Sequence, residues 1–431
     1  MTTFETPARS PDLLGPAVGE YSAPLAAHRL SVIYLSDADY PWDVRTEKIC
    51  ATLTSAGHDV HIVARNRAWS VTTERLPEGT VHRMKPWRWI GQRADELLGF
   101  PAFFSPRWRR LLDETVLRVH ADVIVARDLP LAPTAISIGQ RRHVPVVLDI
   151  AENYPAMMQM IFNAGRQKLV DYVVRNPAAV VAVERYSLLR ADRVLVVIEE
   201  MADRLATFRV PRERIDLVSN TPPRSRAEHA VERPHKPADE PITLVYLGLL
   251  EVPRGLMELI DAVALLRDDG VPVRCVVVGK GRDAALFHER ARSLALGPDH
   301  VSFLGYVDRE TAMAAVRDAD VGMLTHHLND AWNTTIPNKL FDYMAEALPV
   351  ITSSVAPFAR IVRETGAGEV FDAGDARSLA GAVRRLRSDA ARRACGAAGR
   401  RAVLERYHWE RDAVVLLRAL ELTARSATRA R

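Results

Sequence analysis

The chain has 431 residues, 48% of them hydrophobic, and a formal net charge of +4. That length suits two or three domains at roughly 150 residues each, and the composition supplies ordinary cores. Several classes are excluded: the charge is too small to argue for nucleic-acid binding, no apolar run approaches the roughly 20 residues of a bilayer span, and Cys50, Cys275 and Cys395 suit neither a disulfide framework nor a zinc site.

Residues 1–28 lack the basic start and compact apolar stretch of a signal peptide and read as a flexible tail. With the scattered cysteines this fits the cytoplasm. Short apolar runs then alternate with helical patterns. Residues 30–35 predict a buried strand, followed by a loop, a helix around Ile49 and Leu53 closed by Gly57, and a strand at 60–64. Strands at 122–126, 145–150, 193–198 and 215–218 complete a first domain over 29–225. The pattern breaks where Pro222, Pro223, Pro234, Pro237 and Pro241 sit among charges, so 226–241 reads as a linker. Strands at 242–247, 274–278, 301–304, 321–324 and 349–352 build a second domain over 242–408, and 409–431 is expected as a helix packing back on the first. Apolar strands separated by helices mean parallel sheets covered on both faces. The expected fold class is therefore α/β, with two Rossmann-like, doubly wound domains facing a cleft. Ligands in such sheets bind beyond the carboxyl ends of the strands.

In the second domain, residues 247–255 (LGLLEVPRG) follow a strand and precede a helix. Gly248 allows close backbone approach, the helix start offers free N–H groups to an anion, and Arg254 can bind phosphate oxygens bidentately. A plain turn with a solvated arginine accounts for these residues equally well. Residues 334–344 (TTIPNKLFDYM) add a second signal. Pro337 suits a helix start, which puts Lys339 in the first turn, where a cation opposes the helix dipole. A bound diphosphate reverses that penalty. Asp342, one turn on, can accept from two ribose hydroxyls, with Thr334 and Asn338 flanking. Gly279, Gly305 and Tyr306 each follow a strand and could frame a base, or be simple turns.

These segments resemble the family-4 retaining glycosyltransferases of the GT-B fold, over roughly residues 30–409. The resemblance implies that Asp342 matches the family's ribose carboxylate. The family's other carboxylate falls at Thr334, which is not acidic; Leu249 replaces a usual Arg, and Ala347 a usual Gly. These departures leave the donor open. The resemblance further implies a retaining, metal-independent transfer from a nucleotide-diphosphate sugar to a glycan or lipid-linked acceptor, with no cofactor. Arg254 and Lys339 then stabilise the leaving diphosphate.

In the first domain, Arg45 follows the loop after the first strand and could reach an acceptor anion or pair with a neighbouring acid. Arg127 and Asp128 end one strand; Asp149 and Glu152 follow the next. Charges ending apolar strands point to function, so Glu152 and Asp128 are candidate catalytic residues and Arg45, Arg127 and Asp149 acceptor-side ones. The family's usual His falls at Ala151. The triplets Asp37-Ala38-Asp39 and Asp318-Ala319-Asp320 could point to a metal-dependent transferase of the other main fold, but the second reads as capping or solvated, two doubly wound halves argue against that fold, and no metal is expected. Residues 83–110 hold seven basic and two acidic groups. With Trp87, Arg88, Trp89, Phe103, Phe104, Arg107, Trp108, Arg109 and Arg110, this segment is expected to meet an anionic membrane on its inner face, or else to pack its rings on the core. Two other readings stand: a nucleotide-sugar epimerase of the same architecture, and an inactive membrane-recruited partner subunit.

Overall fold

The structure, a computed structural model, describes residues 28–41, 43–87, 91, 95, 103, 105–163, 176–231, 235–237 and 240–429. The chain forms two compact units, Met1–Ser219 with Glu410–Arg431, and Asn220–Trp409.

The first unit holds strands β1 (Ser31–Leu35), β2 (Asp59–Ala64), β3 (Thr73–Leu76), β4 (Gly79–Arg83), β5 (Val123–Arg127), β6 (Val146–Ile150), β7 (Arg193–Val196) and β8 (Ile215–Leu217). Their order is β3-β4-β2-β1-β5-β6-β7-β8. Every pair is parallel except β3–β4, a hairpin absent from the sequence expectation. Helices α1 (Val44–Ser55), α2 (Pro106–Val119), α3 (Ala132–Arg142), α4 (Tyr154–Asn163), α5 (Pro177–Arg190) and α6 (Glu199–Thr207) make the connections. Continuous runs such as SVIYL in β1 and VVLDI in β6 are buried on both faces, as helices covering both sides of a sheet require.

The second unit holds β9 (Ile242–Leu247), β10 (Val273–Val278), β11 (Val301–Gly305), β12 (Val321–Leu324), β13 (Val350–Ser353) and β14 (Gly368–Phe371), ordered β11-β10-β9-β12-β13-β14 and wholly parallel. Its helices are α7 (Arg224–Glu228), α8 (Leu256–Asp268), α9 (Ala284–Ser293), α10 (Arg309–Asp318), α11 (Asn338–Ala345), α12 (Ala356–Thr365), α13 (Ala376–Arg385) and α14 (Asp389–Glu405). Helix α15 (Trp409–Arg429) carries the chain back into the first unit. Leu244, Tyr246, Leu259, Val263, Cys275, Val277 and Phe287 lie in one buried core between β9, β10 and the helices α8 and α9. In each unit the order reverses beside the first strand, at β1/β5 and at β9/β12, which is the doubly wound arrangement.

One boundary differs from the expectation. Residues 220–225, read as the end of the first domain, fold with the second unit. Helix α7 packs against α11 and α14, and Ala227 is fully buried there. Apolar contact across more than a hundred residues overrides the local proline signal. Among the described residues no helix is long and apolar enough to cross a membrane.

Candidate active site

In the second unit, the loops leaving β9, β10 and β12 pack backbone to backbone. Gly279 has φ +144°, and a Cβ there would lie 1.8 Å from the Gly248 carbonyl oxygen. Gly255, at φ +68°, would bring a Cβ equally close to the Thr325 carbonyl. Only glycine fits either position. This approach seats the 3-10 turn Val252–Arg254 against the end of β12, where Thr325 Oγ1 donates to the Arg254 carbonyl at 2.7 Å.

The Arg254 guanidinium lies over the Trp332 ring, 4.9 Å from its centroid, and Nη1 donates to His326 Nε2 at 3.3 Å. His326 is buried, edge-on to Trp332. Burial, then the charges of Arg254 and Lys339, hold its pKa well below the usual 6.5. The neutral ring accepts at Nε2 and so keeps its proton on Nδ1. Lys339, in the first turn of α11, is half-buried. Burial lowers its pKa, and Arg254 pushes the same way against the opposing pull of Asp342. Among the described residues neither cation has an ion-pair partner, and Arg254 Nε is buried without an acceptor. Arg254, in the turn just before α8, and Lys339, in the first turn of α11, are cations near helix starts that repel each other and suit a polyanion.

Asp342 is one turn further along α11. Its Oδ1 accepts from Arg226 Nη1 at 2.6 Å, a partner that nothing local in the sequence signals. Thr334 ends the 3-10 turn Trp332–Thr334 and donates its hydroxyl to the Asp330 carbonyl at 2.9 Å. Asn338 is the first residue of α11 and is half-buried. Gly279 N–H donates to the Gly305 carbonyl at 2.8 Å and Gly248 N–H to that of Val278 at 3.0 Å, joining the loops after β9, β10 and β11 into one shelf. Tyr306 is exposed on that shelf, with Lys280 Nζ 4.1 Å from its ring centroid.

In the first unit, the carboxyl ends of β1, β5 and β6 gather a second charged cluster. Arg45 and Asp149, expected to face an acceptor, are instead buried and occupied by each other: Arg45 Nη2 donates to Asp149 Oδ1 at 2.6 Å, and Tyr34 Oη donates to Oδ2 at 2.6 Å. Arg45 holds the Asp149 carboxyl below the usual carboxylate range against the upward push of burial. With 3% of its side chain exposed, Arg45 orders the strand ends rather than meeting a ligand. Arg127 bridges two acids, Asp43 at 3.0 Å and Asp128 at 2.9 Å. Asp43 also caps α1. Asp128 has φ +52°, a conformation uncommon for a side-chain-bearing residue. Its Oδ1 accepts from Ala151 N–H at 3.0 Å. Burial, with Glu152 and Asp149 nearby, raises its pKa to about 7 despite Arg127. Glu152 itself is exposed.

Of the basic aromatic segment, several described residues are turned inward. Arg88, Trp89 and Phe104 lie outside the described residues. Trp108 is fully buried, because Trp108, Leu112, Thr115 and Val116 form the inward face of α2. Arg107 is mostly covered, paired with Asp95 at 2.9 Å and stacked on Trp87. Phe103 packs edge-on to Tyr154. Trp87, Arg109 and Arg110 remain exposed, Arg110 paired with Glu114. Asp320, in one of the acidic triplets, binds Lys236 at 2.5 Å. No group of three or more His, Cys, Asp or Glu that could hold a metal exists among the described residues.

Two family models match the chain: "Glycosyl transferase 4-like domain" over 43–221 and "Glycosyl transferases group 1" over 241–389, together most of its length. The chain belongs to the family-4 type of GT-B glycosyltransferases. Within this family it resembles the phosphatidyl-myo-inositol mannosyltransferase of Mycobacterium leprae, 34% identical over 43% of this chain and 48% of that protein. The match spans about half the length of this relative and of the Mycolicibacterium smegmatis enzyme of the same name. The GDP-mannose-dependent alpha-(1-6)-phosphatidylinositol dimannoside mannosyltransferase of Mycobacterium tuberculosis is 28% identical over 87% of this chain and 90% of its own. Sucrose-phosphate synthase from Thermosynechococcus elongatus shares the fold, with a TM-score of 0.73 at 18% identity, covering 94% of this chain and all of that one.

Proposed function

We propose that this glycosyltransferase moves a sugar from a nucleoside-diphosphate sugar to a glycan or lipid-linked acceptor. The observation that carries the reading is the Arg254–Lys339 pair, two cations near helix starts with no ion-pair partner among the described residues, which repel each other. A diphosphate would neutralise both, and its charge grows as the bond to the anomeric carbon breaks. Binding energy there strengthens toward the transition state, which is what speeds the reaction. No metal is needed in this account, since Arg254 and Lys339 supply the positive charge. On the acceptor side, Asp128 holds the incoming hydroxyl from the end of β5, with Glu152 beside it. Retention follows if a leaving phosphate oxygen takes the acceptor's proton.

The relatives that act on phosphatidylinositol and its mannosides support a mannosyl donor and an inositol-containing acceptor as the first pair to test. The reading of an inactive partner subunit draws on Thr334, whose hydroxyl is bonded within its own turn. Incubating the protein with GDP-mannose, UDP-glucose and related donors, with and without phosphatidylinositol, separates the readings by product. Transfer to the acceptor is the expected result. Sugar inverted or released without acceptor dependence would replace it with the epimerase reading, and no turnover of any donor with the inactive subunit.

A further inference from the structure

Arg226 stands in the proline-rich stretch, 116 residues before Asp342. Its helix, α7, is anchored by other groups. Ala227 is fully buried, Arg400 Nε donates to the Ala227 carbonyl at 2.6 Å, and Trp409 N–H donates to the Pro222 carbonyl at 2.8 Å. The Arg226 guanidinium reaches across to α11: Nη1 donates to Asp342 Oδ1 at 2.6 Å and Nη2 lies 3.7 Å from Glu346 Oε1. The Asp342 side chain stays about a quarter exposed (25%), and its Oδ2 takes no hydrogen bond among the described residues.

A lone aspartate on a helix samples a broad range about χ2, and ordering it on binding costs affinity. A charge-assisted bond to one oxygen removes that freedom and leaves the other oxygen available. We propose that Arg226 is a positioning residue for the nucleotide ribose: by holding Oδ1 it fixes the Asp342 carboxylate so that Oδ2 receives the hydroxyls of the sugar. The proposal rests on the nucleoside-diphosphate reading of the second unit. An arginine that only stapled α7 to α11 would set thermal stability and leave recognition of the ribose untouched.

Titration calorimetry of the full chain with UDP, GDP and their 2′-deoxy counterparts separates the two. Wild type should bind the better ribonucleotide about tenfold tighter than its deoxy form, the worth of one hydrogen bond to a charged acceptor. Arg226→Ala should shrink that ratio below about threefold at an unchanged Tm, and Arg226→Lys should restore part of it. If Arg226→Ala does not fold, the reduced ratio in Arg226→Lys carries the same comparison. A variant that keeps the full ratio overturns the proposal. So does one whose affinities for ribo and deoxy forms fall in parallel with Tm. Wild type that binds both forms equally removes the ribose role of Asp342, and that of Arg226 with it; wild type that binds neither nucleotide removes the nucleotide reading itself.

Discussion

Asp128 is the residue whose chemistry departs furthest from its free state among the strand-end acids of the first unit. Burial first, then Glu152 and Asp149, lift its pKa to about 7, against Arg127 2.9 Å away. The same side chain sits at φ +52°, a strain that a packed neighbourhood sustains at functional positions. An acid that titrates near neutrality accepts from an acceptor hydroxyl more strongly in its ionised form. The transfer rate, as kcat/KM for the acceptor, should therefore rise with pH and flatten above about 7. Asp128→Asn should lower it by roughly a hundredfold and abolish the inflection. An unchanged inflection in that variant would assign the titration to another group. Glu152 was legible as a strand-end charge, but only the fold reveals that it acts on Asp128 through space.

At the scale of elements, α2 and α11 show why pattern alone misleads in one place and serves in another. The segment containing Trp87, Arg107, Trp108, Arg109 and Arg110 has the composition of a membrane edge. Yet Trp108, Leu112, Thr115 and Val116 recur at helical spacing and face inward. That periodicity was present in the sequence and outweighs composition. Removing the ring should leave a large void: Trp108→Ala should cost about 3–5 kcal/mol in chemical denaturation, whereas Arg110→Glu should change stability little, as expected for an exposed pair. Equal, small losses for both would mean that Trp108 is not a core residue. In α11 the local signals were enough. Pro337 before the helix and Lys339 in its first turn predict a cation opposing a dipole, and the structure adds Arg254 and the neutral His326 beside it. Arg226 could not be read, since its partner lies 116 residues away and its own surroundings look like linker.

Across the whole molecule, the alternation of apolar strands and helices was legible because the buried strands are short apolar runs, mostly rich in β-branched residues. The strands that escaped notice are β3, β4 and β14, whose runs mix polar, charged or glycine residues with apolar ones and which owe their existence to pairing with a neighbour. The turn of the chain into the second unit at Asn220, ahead of the proline-rich stretch, was hidden for a related reason: α7 joins that unit by packing, not by local preference. The departures at Thr334, Leu249 and Ala151 from the family pattern leave the Arg254–Lys339 pair unaltered. The account therefore stands or falls on that pair. Calorimetric titration of wild type, Arg254→Ala and Lys339→Ala with UDP and GDP tests it most directly. Each substitution should weaken the preferred nucleoside diphosphate by at least about tenfold, as expected for losing a charge-assisted phosphate contact, with the Tm of the unliganded protein preserved or raised because a repelling cation is gone. Wild-type affinity in both variants would contradict it.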